Sequence, residues 1–131
     1  MKKDIKYPKI ENVFVTIVKD QEDDLWKVYL LNRSDDLLET VMVTSKGYGK
    51  KDGKEQKTSV LRHMIPKIEP GEYALIEPID EQVFHLNNEY WVSFFIDGQL
   101  YDKKYIFVPE TIIKDNLSHI KELGMQGVLH Q

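Results

Sequence analysis

Four groups of residues in this chain have types and spacings that chemistry can use. The first is Lys46, Tyr48, Lys50, Lys51, Lys54 and Lys57, threaded by Gly47, Gly49 and Gly53. Glycines let backbone N–H groups approach an anion, and a tyrosine can stack on a base. These residues thus suit RNA or tRNA, with the lysines taking the phosphates. No strand–loop–helix pattern surrounds them, so they form neither a Walker loop nor a dinucleotide fingerprint. The plain alternative is a solvated loop whose lysines discourage edge-to-edge aggregation.

The second group is Asp20, Glu22, Asp23 and Asp24. Clustered carboxylates can hold a hard cation. Here the turn glycine and distal glutamate of an EF-hand loop are missing, so a solvated acidic turn and no metal are expected. The third group is the histidines, His63, His85, His119 and His130. No two stand at metal-ligand spacing on one element. His63 adjoins Arg62 on a predicted strand, and Arg62 is expected to pair with Glu77 as a structural ion pair. Proton transfer by His63 would lack a partner nucleophile.

The fourth group is Trp91 and Phe95. Aromatic side chains are enriched at interface hot spots. They are therefore a candidate binding patch, unless a terminal segment covers them. No Gly-x-Ser-x-Gly, no His-Glu-x-x-His and no catalytic carboxylate pair occurs, so no catalytic residue is assigned and no cofactor is expected. An enzyme would have to assemble its site from dispersed residues.

The elements that must position these groups read as strands. Asn88–Ile96 and Gln99–Pro109 are aromatic and β-branched runs flanking Asp97-Gly98. Asp-Gly between such runs is the strongest short-range hairpin signal, and a type I′ turn needs positive φ at both residues. Ile96 must then pair with Gln99, Phe94 with Tyr101, Val92 with Lys103 and Tyr90 with Tyr105. Tyr90, Val92, Phe94, Ile96, Tyr101, Tyr105 and Phe107 fall on a core face. Trp91, Ser93, Phe95, Leu100, Asp102, Lys104 and Ile106 fall on the other, because a strand alternates its side chains.

Further strands are predicted over 13–18, 26–31, 38–45, 58–65 and 73–79, with Pro78 restricting the last to an edge or an exit. Residues 47–57 read as a linker-like loop, and Pro66–Glu72 as a turn. A short helical turn is predicted over 80–86. Ile113, Leu117 and Ile120 sit at helical spacing, so one or two helical turns follow Pro109, with a last short strand at Val128-Leu129. About seven short strands with regular turn signals predict an all-β fold, an antiparallel immunoglobulin-like sandwich.

The chain has 131 residues, enough for one domain with its own core, placed at 10–131 behind a loose lead-in at 1–9. Hydrophobic residues make up 41% and charged residues 31%, which excludes general disorder. The net charge of −4 argues against a whole surface that embraces nucleic acid, while leaving room for a local basic patch. There are no cysteines, so disulfides, thiolate metal sites and cysteine nucleophiles are excluded. Neither a signal peptide nor a membrane span is read from the sequence, and a cytoplasmic setting is expected.

Several strings carry a resemblance: Trp26–Tyr29, Leu38–Val41, Ser45–Tyr48, Lys57–His63, Leu86–Tyr90, Asp102–Tyr105 and Gly127–Leu129. In these the chain resembles a group of small uncharacterised bacterial proteins often labelled phenylalanyl-tRNA synthetase alpha subunit. A synthetase core clamps ATP with arginines, and this chain has only Arg33 and Arg62. Arginine is hard to replace where phosphate is held by two parallel hydrogen bonds. No catalytic residue carries over, and the resemblance implies at most a small appended module. The leading expectation is a non-enzymatic binding module. It would act on a protein partner, or a second copy of itself, through a sheet edge or the Trp91/Phe95 face. RNA or tRNA binding by the 46–57 segment is the alternative, and a small enzyme or synthetase subunit a more distant one.

Overall fold

The computed structural model describes residues 10–130, so the lead-in expected at 1–9 lies outside the described residues. Ten strands form two antiparallel sheets. They are β1 (Val13–Asp20), β2 (Leu25–Asn32), β3 (Leu38–Lys51), β4 (Lys54–Lys57), β5 (Leu61–Ile68), β6 (Tyr73–Ile79), β7 (Asn87–Ile96), β8 (Gln99–Phe107), β9 (Ser118–Ile120) and β10 (Met125–His130). The first sheet runs β6-β2-β1-β10-β9. In the second, β3 pairs with β7 along one edge and with β4 and β5 in succession along the other, and β8 flanks β7.

The hairpin prediction holds in detail. Asp97 and Gly98 have φ of 48° and 78°, and Ile96–Gln99, Phe94–Tyr101, Val92–Lys103 and Tyr90–Tyr105 are the observed pairs. Tyr90, Val92, Phe94, Tyr105 and Phe107 are buried against Val15, Ile17, Val28 and Leu30 of the facing sheet, beside Val41 and Val43 of their own. The Tyr105 hydroxyl donates to the Val13 carbonyl oxygen at 2.6 Å, tying β8 to the first sheet through the core. Pro78 lies on β6, an edge strand, where no ladder bond is needed from its nitrogen.

Three expectations are corrected. Ten strands stand where about seven were read, because β4 and β9 are ordered strands; the short strand expected at Val128-Leu129 is there and runs over Met125–His130. Residues 47–57 are not a loop: β3 continues to Lys51 and turns back at Asp52-Gly53 into β4. Asp52 and Gly53 have φ of 53° and 78°, so this turn repeats the chemistry of Asp97-Gly98. The third correction is at 113–120. A single 3-10 turn spans Lys114–Asn116, and Ile120 pairs with Met125 in the β9–β10 hairpin instead of extending a helix. Smaller shifts accompany these. β5 runs from Leu61 through Pro66 to Ile68, leaving only Glu69–Glu72 as the turn. Pro66 fits because β5 has β3 on one side and no ladder partner on the other.

The two sheets differ on their outer faces. On the first, Val18, Tyr29, Leu31 and Ile120 are buried together, with Phe14, Leu123, Met125 and Leu129 packed around them. Ile120 of β9, and Met125 and Leu129 of β10, pack beside Val18 within the same sheet, while Tyr73 and Leu75 of the edge strand β6 are exposed on that face. Gly127 permits this closeness, since a Cβ there would lie 2.5 Å from Val18 Cγ1 and 2.7 Å from Thr16 Oγ1. The outer face of the second sheet carries exposed Met42, Met64, Trp91, Phe95 and Leu100.

Candidate functional site

The register of the second sheet maps its outer face row by row. Directly opposed residues share a face, and rows on one face are ~6.7 Å apart. From one end, the rows read Tyr48 with Lys57, then Lys46 with Glu89 and Ile106. Next come Arg62, Thr44, Trp91 and Lys104, then Met64, Met42, Ser93 and Asp102. The last row is Lys67, Glu39, Phe95 and Leu100. Lys50 and Glu55 extend this face towards the Asp52-Gly53 turn.

Two candidate groups that are separate in the sequence thus share one surface. Trp91 and Phe95 are 45% and 36% exposed, and Leu100 beside Phe95 is 55% exposed. Lys46, Tyr48, Lys50 and Lys57 join them on the same face. Lys51 and Lys54, which the sequence grouped with these four, point to the opposite face because they are one step out of phase. The strand character of 46–57 decides this division, and a loop would have left it open.

Lys104 Nζ lies 5.0 Å from the Trp91 ring centroid, and Lys46 Nζ 5.8 Å from that of Tyr48. Both are cation–π contacts that hold the ring and the charge together. Glu89 is nearly buried although it sits on this outer face. It accepts a 3.2 Å hydrogen bond from the Tyr48 hydroxyl, and Lys46 Nζ lies 3.7 Å from its other oxygen. Burial, then the Glu89 charge, push the Tyr48 hydroxyl above the usual tyrosine range. Lys46, Tyr48, Lys50, Lys57, Val60 and Glu89 line a depression of about 600 Å³ beside the aromatic rows.

A second polar cluster lies where β5 and β6 face each other across the seam between the sheets. The β2–β6 register shifts after Val28, and Glu77 stands opposite Val28 on the inner side. Its Oε1 accepts a 2.7 Å hydrogen bond from Ser45 Oγ and lies 2.6 Å from His63 Nε2. His63, and not Arg62, is therefore the partner of Glu77. The pairing of Arg62 with Thr44 turns the arginine outward, while His63, opposite Val43, faces inward. Serine catalysis needs the imidazole next to the serine, with the carboxylate behind it. Here the carboxylate stands between the two, so the order differs from that triad, and the part-buried cluster ties β3, β5 and β6 together.

The acidic turn is satisfied within itself. Lys27 Nζ lies 3.1 Å from Asp20 and 2.5 Å from Asp23, and its bond lowers the Asp23 pKa. His85 pairs with Gln56, and His130 packs edge-on against Tyr105 and Phe107. Among the described residues no group of three or more His, Cys, Asp or Glu gathers as a cation would require, and no helix is long and apolar enough to cross a membrane. The role of Glu89 escaped the sequence reading. Only its register opposite Lys46 reveals it.

Comparison of this chain with protein-family models, with curated proteins and with solved structures gave no match.

Proposed function

We propose that this chain is a non-enzymatic cytoplasmic binding module that works through the outer face of its second sheet. One observation carries the reading: Met42, Met64, Trp91, Phe95 and Leu100 lie exposed on neighbouring rows of a single face. Scattered apolar residues are ordinary on a surface, whereas a contiguous group marks an interaction site. On the outer face of the first sheet, Val18, Tyr29, Leu31 and Ile120 are buried, while Tyr73 and Leu75 of the edge strand β6 are exposed.

The face suits binding better than the edges do. β5 carries Pro66 and β6 carries Pro78, β9 has only three residues, and β8 points Lys103 inward opposite Val92. Prolines, short strands and inward charges are the devices that stop an edge from recruiting another strand. The lack of cysteines fits a reducing compartment. Kinship with the small bacterial group belongs to the same proposal, without any synthetase chemistry.

In this reading the sandwich is immunoglobulin-like. β1, β2 and β6 take the places of strands A, B and E, and β5, β3, β7 and β8 those of C′, C, F and G. The supporting pairings are β2 with β6 and β3 with β7, each joining strands distant in the chain.

The test compares wild type with the Trp91→Ser/Phe95→Ser double variant in capture from native lysate. Both side chains are a little over half buried, so the double variant should lose ~2–3 kcal/mol of stability. Loss of capture by a variant that circular dichroism shows still folded is the expected result. Capture undiminished by the double variant removes the proposal.

A further inference from the structure

Resting on that reading of the face, we propose that its ligand is single-stranded nucleic acid. Two features of the surface point there together, and each would be insufficient alone. The first is charge. Lys46, Lys50, Lys57, Arg62, Lys67 and Lys104 face outward by register. The carboxylates on the same face are Glu39, Glu55, Glu89 and Asp102. Six cations against four carboxylates leave this surface positive in a chain whose net charge is −4. An acidic protein that concentrates cations on an apolar-aromatic face presents a complement to a polyanion.

The second feature is the order of rings and charges. Tyr48, Trp91 and Phe95 stand on alternate rows, so successive rings are ~13 Å apart and the three span ~26 Å along the strands. Lys46 occupies the row between Tyr48 and Trp91, and Arg62 and Lys104 flank Trp91 on its own row. Rings that stack on bases, separated by cations that take the backbone, are the recurring design of surfaces that hold single strands. A duplex hides the stacking faces of its bases, so it would leave Trp91 and Phe95 without the rings they could stack on. A protein partner would use the apolar rows but has no need of the cations between the rings.

The Glu89 carboxylate adds a preference. It sits on the floor of the depression beside Tyr48 with acceptor capacity beyond its two recorded contacts. A base stacked at Tyr48 that offers N–H donors on its edge fits there. Guanine offers two adjacent donors, and uracil one.

The experiment is an anisotropy titration of the full chain with fluorescein-labelled single-stranded RNA 12-mers (oligo-U and a mixed G/U sequence) and with a 12-bp duplex, at 50 and 200 mM salt. The single strands should bind more tightly than the duplex, and the G/U strand more tightly than oligo-U. Engagement of three or four phosphates would weaken binding roughly 20- to 50-fold between the two salt concentrations. Trp91→Ala should weaken binding about 5- to 150-fold, the range for one lost stacking contact. Lys46→Ala/Lys57→Ala should flatten the salt slope. Lys51→Ala/Lys54→Ala, on the opposite face, should change affinity less than twofold and serves as the control for unspecific attraction. Equal binding of duplex and single strand, or equal loss from the two lysine pairs, overturns the proposal. Absence of any oligonucleotide binding, while Trp91→Ser/Phe95→Ser still abolishes capture of a protein from lysate, also overturns it. That outcome leaves the binding-module reading standing with a protein as the partner.

Discussion

Arg33 and Glu122 make the ion pair in this molecule that is most open to measurement. Arg33 Nε donates to Glu122 Oε2 at 2.7 Å and Nη2 to Oε1 at 2.9 Å, a two-bond fork joining the end of β2 to the β9–β10 turn. The side chains are 24% and 8% exposed. Exposed pairs contribute ~0–1 kcal/mol, and breaking a buried pair costs ~3–5 kcal/mol. A pair at this depth lies between, so Arg33→Ala should cost about 2–3 kcal/mol. Part of that loss is packing, because the guanidinium also lies 5.4 Å from the Phe14 ring centroid. A double-mutant cycle with Glu122→Ala removes the packing contribution and should leave a coupling of about 1–2 kcal/mol. The Arg33 hydrogen bonds hold the Glu122 carboxyl below its ordinary range. A lowered folded-state pKa gives stability that is complete above the unfolded value of ~4.3 and is lost as pH falls through the lower folded value. Urea unfolding of the four proteins from neutral to acid pH measures this directly. A coupling below ~0.5 kcal/mol at neutral pH, or one unchanged in acid after the carboxylates have protonated, refutes the reasoning.

Three further outcomes follow from the geometry. Gly127→Ala should lower the urea midpoint by the equivalent of ~1–3 kcal/mol with an unchanged slope, because its Cβ would meet the β-branched Val18 at 2.5 Å. Gly98→Ala should cost ~1 kcal/mol in the same assay. Gly98 has φ of 78° and open space around it, so the cost is backbone strain alone, and Gly98→Asn should recover most of it. Tyr90 and Tyr105 are pushed well above the usual tyrosine range, chiefly by burial. The folded state therefore disfavours their phenolates, so stability is complete below pH ~10 and falls as pH rises above it. The part of the phenolate absorbance due to Tyr90 and Tyr105 should appear only with unfolding, after that of exposed tyrosines such as Tyr73, and Tyr105→Phe should make the alkaline decline shallower.

Asp97-Gly98 with its flanking alternation settled the β7–β8 turn, register and faces before any coordinates, because a two-residue turn leaves the chain no other pairing. Asp52-Gly53 carries the same signal, but the glycines and lysines around it imitate a solvated linker. Its strands are held by β7 and by the run of β3 from Leu38, contacts that no local window contains. Ile113, Leu117 and Ile120 show the reverse failure. Their helical spacing is real, but pairing of Ile120 with Met125 and burial beside Val18 override a weak local preference.

The amino-acid sequence on its own determined an all-β chain, its central hairpin, and the alternation that places Trp91 and Phe95 opposite the core-facing Tyr90, Val92 and Phe94. Tertiary structure alone decided that Lys46, Tyr48 and Lys57 share a surface with those aromatics, that Lys51 and Lys54 do not, and that His63 rather than Arg62 meets Glu77. It also decided that β10 joins the first sheet beside β1, more than a hundred residues earlier in the chain. Alternation is a property of each strand by itself. The neighbour that meets each face is set by pairing across long loops, and only the completed fold supplies it.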